Sequence, residues 1–123
     1  MSLSDDQAAF LLDACKLINY ATEIGFKVTG GELARTPEQQ AIYFKTGRSK
    51  TMNSMHLKRC AIDLNVFKDG KIVWDKSTLS PLGVYWESLN KLNSWGGNGV
   101  KLVDTPHFSR GQDGKPEFRR VTD

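Results

Sequence analysis

Apolar residues recur at helical spacing near the amino terminus, where Phe10, Leu11, Ala14, Leu17, Ile18 and Ala21 fall on one face. Ser4 followed by Gln7 reads as a capping box ahead of that stripe, and Gly25 stands where a helix-ending glycine belongs. A helix over 5–24 is predicted. Phe26-Lys27-Val28-Thr29 alternates and runs into Gly30-Gly31, the pattern of a short strand entering a turn. Thr36-Pro37-Glu38-Gln39 opens a second helix lasting to Lys45, with Thr at the cap and Pro in the first turn. Residues 46–55 are polar and aperiodic and read as a mobile loop. A strand over 60–67 follows, and Asp69-Gly70 is a tight hairpin turn into a strand over 71–74. Ser80-Pro81 opens a third helix to Leu92, with Val84, Leu89 and Leu92 facing inward. Trp95-Gly96-Gly97 breaks that pattern, and a last strand is expected over 106–109. Helices and short strands in separate runs indicate an α+β fold, and 123 residues suit one domain over 1–123.

Composition narrows the class. Hydrophobic residues at 39% and charged residues at 25% allow a modest core and exclude a chain disordered by composition. A net charge of +3 favours an anionic partner but is too weak and scattered to argue for nucleic acid. No apolar run approaches the roughly 20 residues of a membrane span. Acids in MSLSDDQAAFLL occupy the place where a secretory signal carries Lys or Arg, so no signal peptide and no stable membrane association are expected. Cys15 and Cys60 are read as buried thiols rather than a disulfide.

The sequence holds 2 histidines, and both stand near short carboxylates: His56 ahead of Asp63, and His107 after Asp104. Imidazole nitrogen and carboxylate oxygen form a donor set that Zn²⁺ accepts, with three protein ligands leaving one position open. The bland alternatives are a surface His–Asp pair and an Asx turn at Asp104-Thr105-Pro106. Asp63, between Ile62 and Leu64 in an apolar strand, resists that reading, because a carboxylate in such a setting needs a cation or metal partner.

Ser54-x-His56-x6-Asp63 followed by Asp104-x-Pro-His107 resembles the zinc D-alanyl-D-alanine carboxypeptidase/L-alanyl-D-glutamate endopeptidase family. Ala34-Arg35-Thr36-Pro37-Glu38-Gln39-Gln40 is similar to that family's upstream arginine motif, and Trp95-Gly96-Gly97 to its segment before the final histidine. The resemblance spans about residues 26–109. It implies a small fold of the hedgehog/D-Ala-D-Ala peptidase type, with helices packed on a short antiparallel sheet. It further implies Zn²⁺ held by His56, Asp63 and His107, with Asp104 as the base. Arg35 would bind a substrate carboxylate or the developing oxyanion, and Ser54 would support the first ligand. Arg59 departs from the pattern, since many relatives carry glycine there, which puts local loop shape and substrate fit in question. Glu87 is a rival base by residue type, but its helix position reads as solvent-facing. Trp74, Trp86, Trp95, Phe44, Tyr43 and Tyr85 read as core and groove wall. Cys60 reads as a packed thiol, and Arg48, Lys50, Lys58 and Arg59 as a basic loop suited to an acidic peptide.

The implied substrate is the peptidoglycan stem peptide, and the expected enzyme a monomeric phage or prophage endolysin, made in the cytoplasm and reaching the cell wall through a separate pore. The alternatives are a D-alanyl-D-alanine carboxypeptidase or dipeptidase with the same zinc site, a mononuclear iron oxygenase, whose facial triad uses the same ligand types, and a non-catalytic wall-binding domain.

Overall fold

The computed structural model describes residues 2–52, 54–100 and 102–120; of the predicted loop, Asn53 lies outside them. Helix α1 (Leu3–Glu23) turns Phe10, Ala14, Leu17 and Ala21 inward. Leu11 and Cys15, one step round the helix from Phe10 and Ala14, are exposed instead, while Cys60 is buried; neither thiol is in a disulfide. The capping box forms one half-turn earlier than predicted. Ser2 Oγ accepts from Asp5 N, and Asp5 accepts from Ser2 N. Gln7 is thereby released to donate to the Lys58 carbonyl at 2.9 Å, which ties α1 to the segment carrying His56.

Strand β1 (Lys27–Gly30) and helix α2 (Pro37–Lys45) follow, the latter capped by Thr36 as predicted. A short 3₁₀ turn, Met55–Lys58, leads into β2 (Ala61–Lys68), and the Asp69-Gly70 turn into β3 (Lys71–Val73). Helix α3 (Lys76–Leu89) starts a turn earlier than Ser80-Pro81 suggested, because the Asp75 carboxylate accepts from Thr78 N and from two hydroxyls. Pro81 falls inside the helix, and the inward face becomes Leu79, Leu82, Gly83, Trp86 and Glu87, with Val84 exposed. Leu89 and Leu92 are only partly buried. Strands β4 (Asn93–Trp95), absent from the expectation, and β5 (His107–Arg110) complete a 5-stranded sheet in the order β1-β2-β5-β4, with β3 also paired to β2. All the pairings are antiparallel, so the fold is α+β.

The core lies between this sheet and α1 and α3. Phe10 meets Trp86 edge to face at 5.6 Å, and Trp86 meets Phe108 at 6.2 Å. Trp86 and Trp95 join the core as predicted, whereas Trp74 and Phe44 are about half exposed. A cluster of buried polar groups is paired within this core. Arg110 bonds to Asp13 and to Asn93 Oδ1, and Asn93 in turn donates to Asp13, clamping α1 onto β4 and β5.

Candidate active site

Strand register brings the first two donors together. In the β2–β5 ladder Asp63 stands directly opposite His107, so both side chains leave the same face of the sheet as close neighbours. His56 arrives from the 3₁₀ turn just before β2. Ser54 caps that turn, its Oγ accepting from His56 N, and Arg59 ends it in the left-handed conformation, φ 55° and ψ 36°. That backbone geometry is why glycine suits this position, and Arg59 adopts it without disturbing the turn.

The result is a nearly equilateral triangle. His56 Nε2 lies 3.2 Å from His107 Nδ1, and each lies 3.3 Å from Asp63 Oδ1. Two atoms bound tetrahedrally at 2.0–2.1 Å to one zinc ion are separated by about 3.3 Å. The far nitrogens determine which ring atoms face inward. His56 Nδ1 lies 3.0 Å from the Leu33 carbonyl and donates to it, and His107 Nε2 donates to Glu117 at 2.7 Å. Both inward nitrogens are therefore lone pairs in the neutral rings, pointed at each other and at a carboxylate. Such a cluster needs a cation, either a metal ion or a proton, and it fits a divalent one.

Electrostatics agree. Burial opposes a charge on Asp63, but the His107 and His56 rings beside it, which attract the carboxylate whenever either carries a proton, outweigh it and hold the carboxyl well below its usual range. Burial likewise opposes an imidazolium at His107, yet its bonds to Asp63 and Glu117 push the ring up to about 10.

His56 and His107 line a cleft of about 660 Å³, together with Asp104, Arg35, Ser54 and Glu117. Asp104 belongs to the turn entering β5. Its carbonyl accepts from His107 N at 3.1 Å, and its N–H donates to Gly96 O at 2.9 Å. Burial raises its carboxyl, His107 opposes this, and Asp63 adds to it. Arg35 reaches the cleft wall with its guanidinium on Glu32, on Gln40 Oε1 at 2.7 Å and on Ser54 Oγ at 3.4 Å, and stacks on Tyr43. Glu87 is not solvent-facing: it is buried, accepts from Trp95 N at 3.1 Å and is not among the cleft residues.

Sequence reasoning missed Glu32, Gln40 and Glu117. Gln40 closes the quoted arginine motif without having been given a role, and Glu32 lies 3 residues before Arg35, close enough to be suspected. For Glu117 the available signal was Asp113-Gly114, a turn dipeptide that sends the chain back toward the last strand.

Asp63 and His107 on neighbouring strands and His56 on the turn before them, with both imidazoles at the wall of a cleft, define a centre able to hold a divalent ion beside a bound substrate. A family profile described as D-alanyl-D-alanine carboxypeptidase matches residues 47–110, more than half the chain, so the protein belongs to this peptidase family. It is similar to the L-alanyl-D-glutamate peptidase of Listeria phage A118, at 32% identity over 96 residues, covering 77% of this chain and 34% of that one. The chain thus spans about a third of that relative's length. Among solved structures it resembles the L-Ala D-Glu endopeptidase ChiX of Serratia marcescens, with a TM-score of 0.65 and 22% identity over 88% of this chain and 85% of that one, a likeness of fold. The expected α+β peptidase-type architecture is borne out.

Proposed function

We propose that this protein is a zinc-dependent peptidoglycan peptidase that cuts the stem peptide between L-alanine and D-glutamate. The observation carrying this reading is the triangle of His56, Asp63 and His107 donor atoms with sides of 3.2 to 3.3 Å. Family membership supports a peptide substrate, and the phage relative's name supports the bond. A basic cleft rim containing Arg48, Lys50 and Lys58 suits the acidic stem peptide.

Zn²⁺ at such a site supplies polarisation of the scissile carbonyl and acidification of water toward a pKa of about 7. Asp104 takes a proton from water as its oxygen bonds to the carbonyl carbon. As the C–N bond breaks, Asp104 passes that proton to the departing amine nitrogen. A carboxyl raised by burial suits a group that must both take and return a proton. Arg35 offers its guanidinium edge to the substrate carboxylate or the developing oxyanion, and Ser54 steadies the His56 turn. The protein acts as a monomeric endolysin that reaches the wall through a separate membrane pore. Among the described residues no helix is long and apolar enough to cross a membrane.

A D-alanyl-D-alanine carboxypeptidase is the second reading, favoured by the description of the matched family. Digestion of purified sacculi with metal-loaded protein separates the two. New amino-terminal D-glutamate, identified by mass spectrometry, supports the endopeptidase; released free D-alanine supports the carboxypeptidase. Neither product would refute the enzyme and leave a wall-binding domain.

A further inference from the structure

The segment after β5 lies beyond residues 47–110, which the family profile covers, yet it forms one wall of the cleft. Asp113 and Gly114 both have positive φ, 55° and 75°, and Gln112 bridges to Lys115 around them. This reverses the chain and returns Glu117 to the donor cluster with its side chain only 15% exposed. One carboxylate oxygen accepts from His107 Nε2 at 2.7 Å, while the other accepts from Met55 N at 3.1 Å. Phe118 packs edge-on against the His107 ring at 5.3 Å, and its N–H donates to Ser94 Oγ at 2.9 Å.

Met55 immediately precedes His56, so one carboxylate joins the two segments that carry the histidines. We propose that Glu117 is the positioning residue of the centre, holding His107 with Nδ1 inward and fixing the spacing between β5 and the His56 turn. This rests on the reading of His107 as a metal ligand. A carboxylate on the far nitrogen orients such a ring and strengthens its donor atom, and its loss weakens metal binding by about 10- to 100-fold. Glutamine at 117 keeps the volume but leaves only one acceptor oxygen for two N–H donors, so it should fall between wild type and alanine.

Two measurements on the full chain test this. The first is Zn²⁺ affinity by competition with a chromophoric chelator, for wild type, Glu117→Gln and Glu117→Ala. A 10- to 100-fold loss in Glu117→Ala, with an intermediate Glu117→Gln, is expected. A folded Glu117→Ala that binds within twofold of wild type overturns the proposal. If Glu117→Ala does not fold, Glu117→Gln decides on the same twofold limit. The second is the His107 Nε2–H proton in ¹⁵N-edited spectra of metal-free protein. It should be downfield and slow to exchange in wild type, intermediate in Glu117→Gln and lost in Glu117→Ala; a proton that exchanges as fast in wild type as in Glu117→Ala overturns the proposal. A purely structural role would lower unfolding stability without moving either readout. If wild type binds Zn²⁺ no better than His56→Ala, the zinc reading falls and the proton measurement alone decides Glu117.

Discussion

Gly96 is where the least change should do the most damage. A Cβ built there would lie 2.3 Å from the Asp104 carbonyl oxygen and 2.9 Å from His107 Cβ, against the 3.4 Å at which ordinary contact begins. Both neighbours are tied down, since Asp104 bonds to Gly96 through its N–H and to His107 N through its carbonyl. Gly96→Ala must therefore move the turn carrying Asp104 and His107 by about 1 Å. Displacement of that size at a reacting centre costs about 100-fold in rate, or about 2.7 kcal/mol of transition-state stabilisation. Overpacking should also destabilise the fold by about 1–3 kcal/mol. The assay is release of soluble amino groups from purified sacculi, with urea unfolding run in parallel. Gly30→Ala is the control, because nothing lies within 4 Å of its added Cβ. A folded Gly96→Ala retaining more than half of wild-type kcat/KM would refute the steric argument.

Four further outcomes are expected. Asp104→Asn should lower turnover on sacculi by about 100- to 10,000-fold while Zn²⁺ affinity stays within threefold, because Asp104 is outside the donor triangle; a parallel loss of metal would make it a ligand. His107, raised to about 10 from an ordinary 6.5, keeps its proton through neutral pH, and a metal ion must displace it. Apparent Zn²⁺ affinity should therefore rise about tenfold per pH unit between pH 6.5 and 8.5 in chelator competition, and a flat profile would contradict the ligand assignment. The same ring stabilises the metal-free fold fully below pH 6.5, and that contribution declines as pH rises toward 10. Arg59→Gly should stabilise the fold by about 0.5–1 kcal/mol in urea titration, since it relieves a left-handed residue at φ 55°; a loss of stability would show that the Arg59 side chain contributes more than its backbone costs.

The parts of the fold written in local patterns could be read in advance, and the parts that depend on distant partners could not. Helix α1 was legible because Phe10, Ala14, Leu17 and Ala21 repeat over several turns. Its cap was not, because Ser4 and Gln7 match the capping-box pattern although the structure uses Ser2 and Asp5 and leaves Gln7 to reach Lys58. Strand β4 escaped notice because Asn93 and Ser94 look like loop residues. Their polarity is satisfied internally, Asn93 by Asp13 and Arg110 and Ser94 by Phe118 N. Glu87 reads as exposed for the same reason: a buried carboxylate accepting from Trp95 N and Asn98 Nδ2 has no local signature.

The candidate ligands were legible because short motifs carry them, while what orients them comes from elsewhere. His56 depends on a carbonyl 23 residues earlier, at Leu33, and His107 on a carboxylate 10 residues later, at Glu117. Asp63 depends on β1 and the residues after it, since Gly31 N donates to its carbonyl at 2.8 Å and its own N–H donates to Glu32 O at 2.9 Å. Glu32 in turn holds Arg35, whose N–H donates to the His56 carbonyl at 3.2 Å. The arginine motif and the first ligand are thus parts of one hydrogen-bonded frame. In the proposed reaction Arg35 would orient the substrate relative to the ion, because its backbone is anchored to the residue that would bind that ion.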